Sequence, residues 1–197
     1  MIIFYLCTMK WIGDRISFND KKEYVTFIIY PPQIGQLKKT LIILWTLLWY
    51  AVGAAVFSQL FFDYEEKEKI MMIVFLSFWL YYAFRVTRTL IYLTYGREYI
   101  KLDKHALRIK RATGKYGKAE QYFLESIQKF EIVELKENSF QAVYENSPWI
   151  RGTNKIQFEY IGKTISFGRK LTEKDAKLFY NFLVKRIQQY LRQKDKE

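Results

Sequence analysis

The sequence predicts an α+β protein: a two-helix transmembrane hairpin plus a small antiparallel β-barrel or sheet closed by a C-terminal amphipathic helix. Three observations carry this expectation. Residues 41–62 pass twenty-two positions without Asp, Glu, Lys or Arg, and residues 70–84 pass fifteen more. Beyond residue 96 apolar side chains alternate, and beyond residue 172 they recur at spacings of three and four.

At about 1.5 Å per helical residue the first run is roughly 33 Å long, enough for a bilayer core of about 30 Å. The second run meets Arg85 and Arg88, yet its helical pattern continues to residue 95. Only DYEEKEK, residues 63–69, joins them, so the two helices must be antiparallel neighbours. Lys38 and Lys39 precede the first helix, and Arg85, Arg88, Arg97 and Lys101 lie in or after the end of the second. Basic flanks stay cytoplasmic, so both termini are expected on the cytoplasmic side. Ala51, Gly53, Ala54 and Ala55 suit close helix contact, and equally suit ordinary span composition. Arg85 and Arg88, three residues apart, either receive a lipid phosphate or a partner's carboxylate, or snorkel to the head groups. Trp79, Tyr81 and Tyr82 read as interfacial anchors.

Half of the 197 residues are hydrophobic while the mean hydropathy is only −0.16, so apolar residues are concentrated in one part of the chain. Lys and Arg outnumber Asp and Glu by 32 to 20, and after Gly96 by about 22 to 13. A basic domain held beside a bilayer is expected to meet anionic membrane lipids or an unidentified membrane-protein partner, and no nucleic acid. Cys7 is the only cysteine, so no intrachain disulfide can form. The first eleven residues lack a basic leader and are not expected to be a secretory signal; Met9 is an alternative start.

The chain divides into an N-terminal segment (1–37), the hairpin (38–95, with spans 41–62 and 70–95) and a cytoplasmic domain (96–197). In the last, EYIKLD and HALRIKRA alternate as strands. ATGKYGK supplies a turn, KAEQYFLE a third strand, and IQKFEIVELKE a longer one. KIQFEYI and KTISFG form a tight hairpin about Gly162. Thr172 caps the closing helix, with Asp175 three residues on in the manner of a capping box. Phe179, Phe182, Leu183, Ile187, Tyr190 and Leu191 make its apolar face. Before the spans, KKEYVTFIIYPP contains a strand over residues 23–30 that is expected to pair with the domain's sheet. Residues up to Lys22 are expected to be dispensable.

Two spans, the Gly96-Arg97-Glu98 junction, a strand-rich segment and a closing helix introduced by FGRKLTEKDA resemble bacterial membrane-associated proteins with a pleckstrin-homology-like domain. The likeness covers about residues 38–193. It implies a membrane-anchored binding or scaffold module, not an enzyme, that recognises a protein partner or anionic lipid at the cytoplasmic surface. The alternative is an accessory structural subunit of a larger membrane enzyme, transporter or secretion complex.

Catalytic residues, a metal site and a cofactor are not expected. One His and one Cys exclude the usual zinc spacings, and no phosphate-cradling glycine motif occurs. His105 begins a strand without a partner signature, and the paired carboxylates at Glu65 and Glu66 and at Glu134 and Glu137 stand among lysines. The constellation above background is the basic hairpin Arg108, Lys110, Arg111, Lys115 and Lys118, expected to bind lipid or a partner either selectively or as an electrostatic surface. Arg85, Arg88, Trp79 and Trp149 are the expected membrane-interface residues. Trp149, after Pro148, reads as a membrane-dipping anchor, a partner contact or a residue buried against the domain.

Overall fold

The computed structural model describes residues 9–21, 23–133, 144, 147 and 149–194. Cys7, Glu134 and Glu137 lie outside these residues, as does Leu135 of the longer expected strand.

Strands β1 (Lys10–Ile12), β2 (Ile16–Asp20) and β3 (Tyr24–Ile29) precede helices α1 (Gln36–Gln59) and α2 (Glu66–Tyr95). Strands β4 (Gly96–Asp103), β5 (Ala106–Thr113) and β6 (Ala119–Phe123) follow, then a short 3-10 turn, Leu124–Ser126. β7 (Ile127–Ile132), β8 (Asn154–Tyr160), β9 (Lys163–Arg169) and helix α3 (Glu173–Lys194) come after it among the described residues.

All strands pair antiparallel, in a six-stranded sheet ordered β1 to β6 and a three-stranded sheet ordered β7 to β9. The sheets do not close, so the barrel alternative is corrected. The 3-10 turn, with Leu124 buried, carries the chain from β6 into the other sheet. The residues before the spans also hold more structure than expected. β3 pairs with β4, with Phe27 opposite Ile100, and β2 pairs with β3. Lys10–Ile12 and Ile16–Asp20 are strands of the sheet and Ile16 is fully buried, which counts against the expectation that residues up to Lys22 are dispensable.

Alternation makes one face of the large sheet apolar: Ile16, Val25, Phe27, Ile100, Leu102, Leu107 and Ile109 are buried on it. Phe158 and Phe167 come from the second sheet and Phe179 and Leu183 from α3, all without exposure. Phe179 meets Phe27 and Phe167 edge-on at centroid distances of 5.0 and 6.2 Å, so α3 packs its apolar face on both sheets. The Thr172 hydroxyl accepts the Asp175 amide at 3.1 Å, the N-cap bond expected from the sequence. Ile161 and Gly162 both take positive φ, 48° and 72°, in the two-residue turn between β8 and β9. At the edge of the core the Tyr122 phenol donates to Glu120 Oε2 at 2.6 Å. Burial, then that bond, push its pKa up to about 12.

α1 and α2 are long and apolar enough to cross a membrane. Only 17% and 11% of their most apolar stretches are buried, whereas a soluble core helix would be mostly covered. A reciprocal capping box at Glu65 and Glu68 starts α2 within the acidic linker. The helices meet through small residues, but Gly53 alone of the expected patch is buried. A Cβ at Gly53 would stand 2.1 Å from the Trp79 ring, whose indole N–H donates to the Trp49 carbonyl at 3.0 Å. Trp79 thus packs between the helices. Tyr50 and Thr87 hydroxyls share a 2.6 Å bond across the same interface.

Candidate functional site at the helix exit

β3 and β4 are neighbours, and the two helices take the place of the turn between them. α2 passes into β4 without a linker: Tyr95 ends the helix and Gly96 begins the strand. Whatever lies at this end of the sheets gathers where the helices leave.

The register places the basic hairpin there. Gly96 stands opposite Thr113, and the Gly114 amide donates to the Tyr95 carbonyl at 2.9 Å. The turn carrying Lys115 and Lys118 therefore abuts the last turn of α2, with Tyr116 between them 85% exposed. Lys110, opposite Tyr99, lies three residues from the exit, about 10 Å along the strand. Arg108, opposite Lys101, is five residues away, about 17 Å.

The five cations consequently divide. Arg108 donates to Gln121 Oε1 at 3.1 Å and lies 3.6 Å from Asp103, an exposed pair of little energetic weight. Arg111 points toward the other sheet and donates to the Ser166 carbonyl at 2.6 Å. Among the described residues the side chains of Lys110, Lys115 and Lys118 have no ion-pair or hydrogen-bond partner. Three lysines near the exit are thus open to an external anion, while both arginines have structural contacts.

Behind the hairpin is a saturated joint that sequence reading missed. Arg15, in the turn between β1 and β2, is 7% exposed. Its Nε and Nη2 donate to the Tyr30 carbonyl at 3.0 and 2.7 Å, Nη2 reaches the Arg169 carbonyl at 3.3 Å, and Nη1 donates to the Lys170 carbonyl. One guanidinium thereby ties the strand that leads to α1 to the end of the second sheet. Burial lowers its pKa from the ordinary value, opposed by neighbouring Tyr92, Asp175 and Glu98. Glu98, 3% exposed, accepts the Gly168 amide at 2.7 Å from the opposite sheet. The available signal was KWIGDRISFND, two alternating stretches about Gly13-Asp14, which reads as a strand pair.

The expected interface residues lie close by. Trp149 meets Trp45 of α1 edge-on at 4.7 Å, and Arg85 donates to the Tyr144 hydroxyl at 3.3 Å. Tyr144 and Trp149 therefore lie along the exit ends of both helices, over the start of the first charge-free run. Arg85 also covers the Tyr81 ring at 5.7 Å, and Arg88 the Phe84 ring at 5.3 Å. Arg151 and Arg169 sit over the Tyr92 ring at 5.6 and 5.4 Å.

On the outer face of the large sheet, Arg97 lies over Tyr30 at 5.4 Å and Lys101 over Tyr24 at 4.0 Å. Sequence reading missed this cation and aromatic stripe, because β3 and β4 are separated by both helices in the chain. His105 stands exposed in the turn at the far end, where Asp103 Oδ1 accepts its amide at 3.0 Å. Among the described residues no group of three His, Cys, Asp or Glu is placed to hold a metal ion.

Comparison of the chain with protein-family models, with curated proteins and with solved structures finds no match.

Proposed function

We propose that the chain is an integral protein of the inner (cytoplasmic) membrane, with both termini cytoplasmic and α1 and α2 crossing the bilayer. On this reading the sheets and α3 form a pleckstrin-homology-like binding or scaffold module that recognises anionic lipid or a protein partner and catalyses no reaction. Two antiparallel sheets with a C-terminal helix packed on them support the likeness; the unclosed sheets are where it departs. The observation that carries the function is the register placing the Lys115 and Lys118 turn beside the end of α2. If α2 spans the bilayer, that turn faces the cytoplasmic leaflet. At about 1 kcal/mol per cation near an anionic surface, Lys110, Lys115 and Lys118 contribute roughly 3 kcal/mol.

The test uses the full chain in liposomes, with an environment-sensitive dye on K115C in a C7S background. Phosphatidylglycerol vesicles should blue-shift the dye relative to phosphatidylcholine vesicles, and salt should reverse the shift. Adding K110E and K118E should abolish the lipid dependence. An unchanged shift removes the hairpin from the mechanism. A label at Tyr64 should react only from outside the cell; labelling from the cytoplasm overturns the topology.

A further inference from the structure

A second basic feature stands apart from the lysine turn. Phe84, Arg85, Arg88 and Thr89 of α2 and Ile150 and Arg151 of the preceding-β8 segment line a cavity of about 140 Å³. Drug-sized ligands need roughly 300 to 1,000 Å³, so this one suits a single small group. Its lining holds three guanidiniums and no carboxylate. Among the described residues none of the three has an acidic ion-pair partner. Among the described residues Arg151 Nε is buried with no hydrogen-bond partner. Burial, then the charges of Arg169 and Arg88, lower the Arg151 pKa, opposed by Tyr92 and Glu98.

We propose that this cavity is a phospholipid head-group site, in which Arg85, Arg88 and Arg151 hold the phosphate and Phe84 and Ile150 contact the apolar part beside it. The proposal rests on α2 spanning the bilayer. Planar guanidiniums match phosphate oxygens in paired hydrogen bonds, which lysines cannot reproduce. Arg88 lies eight residues before Gly96 and Arg85 eleven, about 12 and 16 Å along the helix from the sheet, where a span leaves the hydrocarbon. Phe84 is 59% exposed and ends the second charge-free run, so one wall of the cavity is continuous with the lipid-facing helix surface. A free phosphate ion has no use for that wall; a phosphate joined to glycerol and acyl chains does. An acidic peptide would offer carboxylates without the apolar extension.

The experiment takes the full chain in phosphatidylcholine nanodiscs and adds phosphatidic acid as the probe, counting retained lipid by native mass spectrometry. The wild type should retain phosphatidic acid saturably. R88Q with R151Q should weaken retention roughly tenfold or more, since each removes charge-assisted hydrogen bonds. R85Q, at an exposed position, should weaken it in the same direction without endangering the fold. Equal retention by wild type, R85Q and the folded double variant overturns the proposal. Inorganic phosphate at millimolar concentration should not displace the lipid; displacement would mean the site serves a free anion and overturn the lipid source. A chain that stays in solution without detergent sinks the membrane reading itself, whereas a membrane-bound chain with no saturable lipid sinks only the cavity.

Discussion

Arg15 and Arg88 sit on opposite sides of one seam, where the helices meet the sheets, yet their surroundings differ in kind. Arg15 is buried and bonds the carbonyls of Tyr30, Arg169 and Lys170. Arg88 lies over Phe84, beside a cavity lined by two further arginines. A guanidinium saturated by backbone oxygens is a cross-link, whereas one crowded by other cations is a receptor awaiting an anion. The difference teaches that partners, not charge, separate structural arginines from binding ones in this chain.

The largest expected effect comes from breaking the saturated side. Arg15→Gln should destabilise the domain by about 3 kcal/mol, because it strands part-buried carbonyls at the ends of both sheets. Chemical denaturation of the full chain in one detergent measures it, and a loss under 1 kcal/mol would make the joint ornamental. Gly13→Ala should cost about 1 to 2 kcal/mol. Gly13 takes φ 60°, and a Cβ there would stand 1.8 Å from an Asp175 carboxylate oxygen, pushing α3 off the turn that carries Arg15. Arg88→Gln should change stability by less than about 0.5 kcal/mol while reducing lipid retention; equal losses of both would erase the contrast.

The smallest effect lies away from the seam. Tyr122, with a pKa near 12 in the folded chain against 10.0 unperturbed, keeps its proton over a range where an unfolded chain loses it. Its contribution to stability is therefore whole below pH 10 and is lost as pH rises through 12. Tyr122→Phe should flatten that part of the alkaline stability profile. A profile of unchanged slope would show that Glu120 and burial do not hold the phenol.

The cavity was half legible in advance. Arg85 and Arg88 stand out because cations interrupt an apolar helix. Arg151 is sixty-three residues beyond Arg88, and no local pattern joins them. The basic hairpin was legible as a group, but its division was not. Arg108 and Arg111 differ in the strand face they occupy and in neighbours, Asp103 and Ser166, supplied by other strands. Trp79 read as an anchor because tryptophans often mark interfaces; that Gly53, on the other helix, makes room for its ring was not legible.

By itself the sequence determined what is periodic and local: two helices apolar enough to span a bilayer, the amphipathic α3 with its Thr172 cap, the β8–β9 turn at Gly162 and the strand character of residues 24–29. Each follows from spacing along a single element, where side-chain direction repeats every 3.6 or two residues. Only the tertiary structure decided that the described strands form two unclosed sheets and that β1 and β2 extend the larger one. It alone made Arg15 and Glu98 the seam's buried polar contacts and brought Arg85, Arg88 and Arg151 around one cavity. Those outcomes depend on hydrogen bonds and contacts between residues far apart in the chain, and local periodicity carries no record of such pairings.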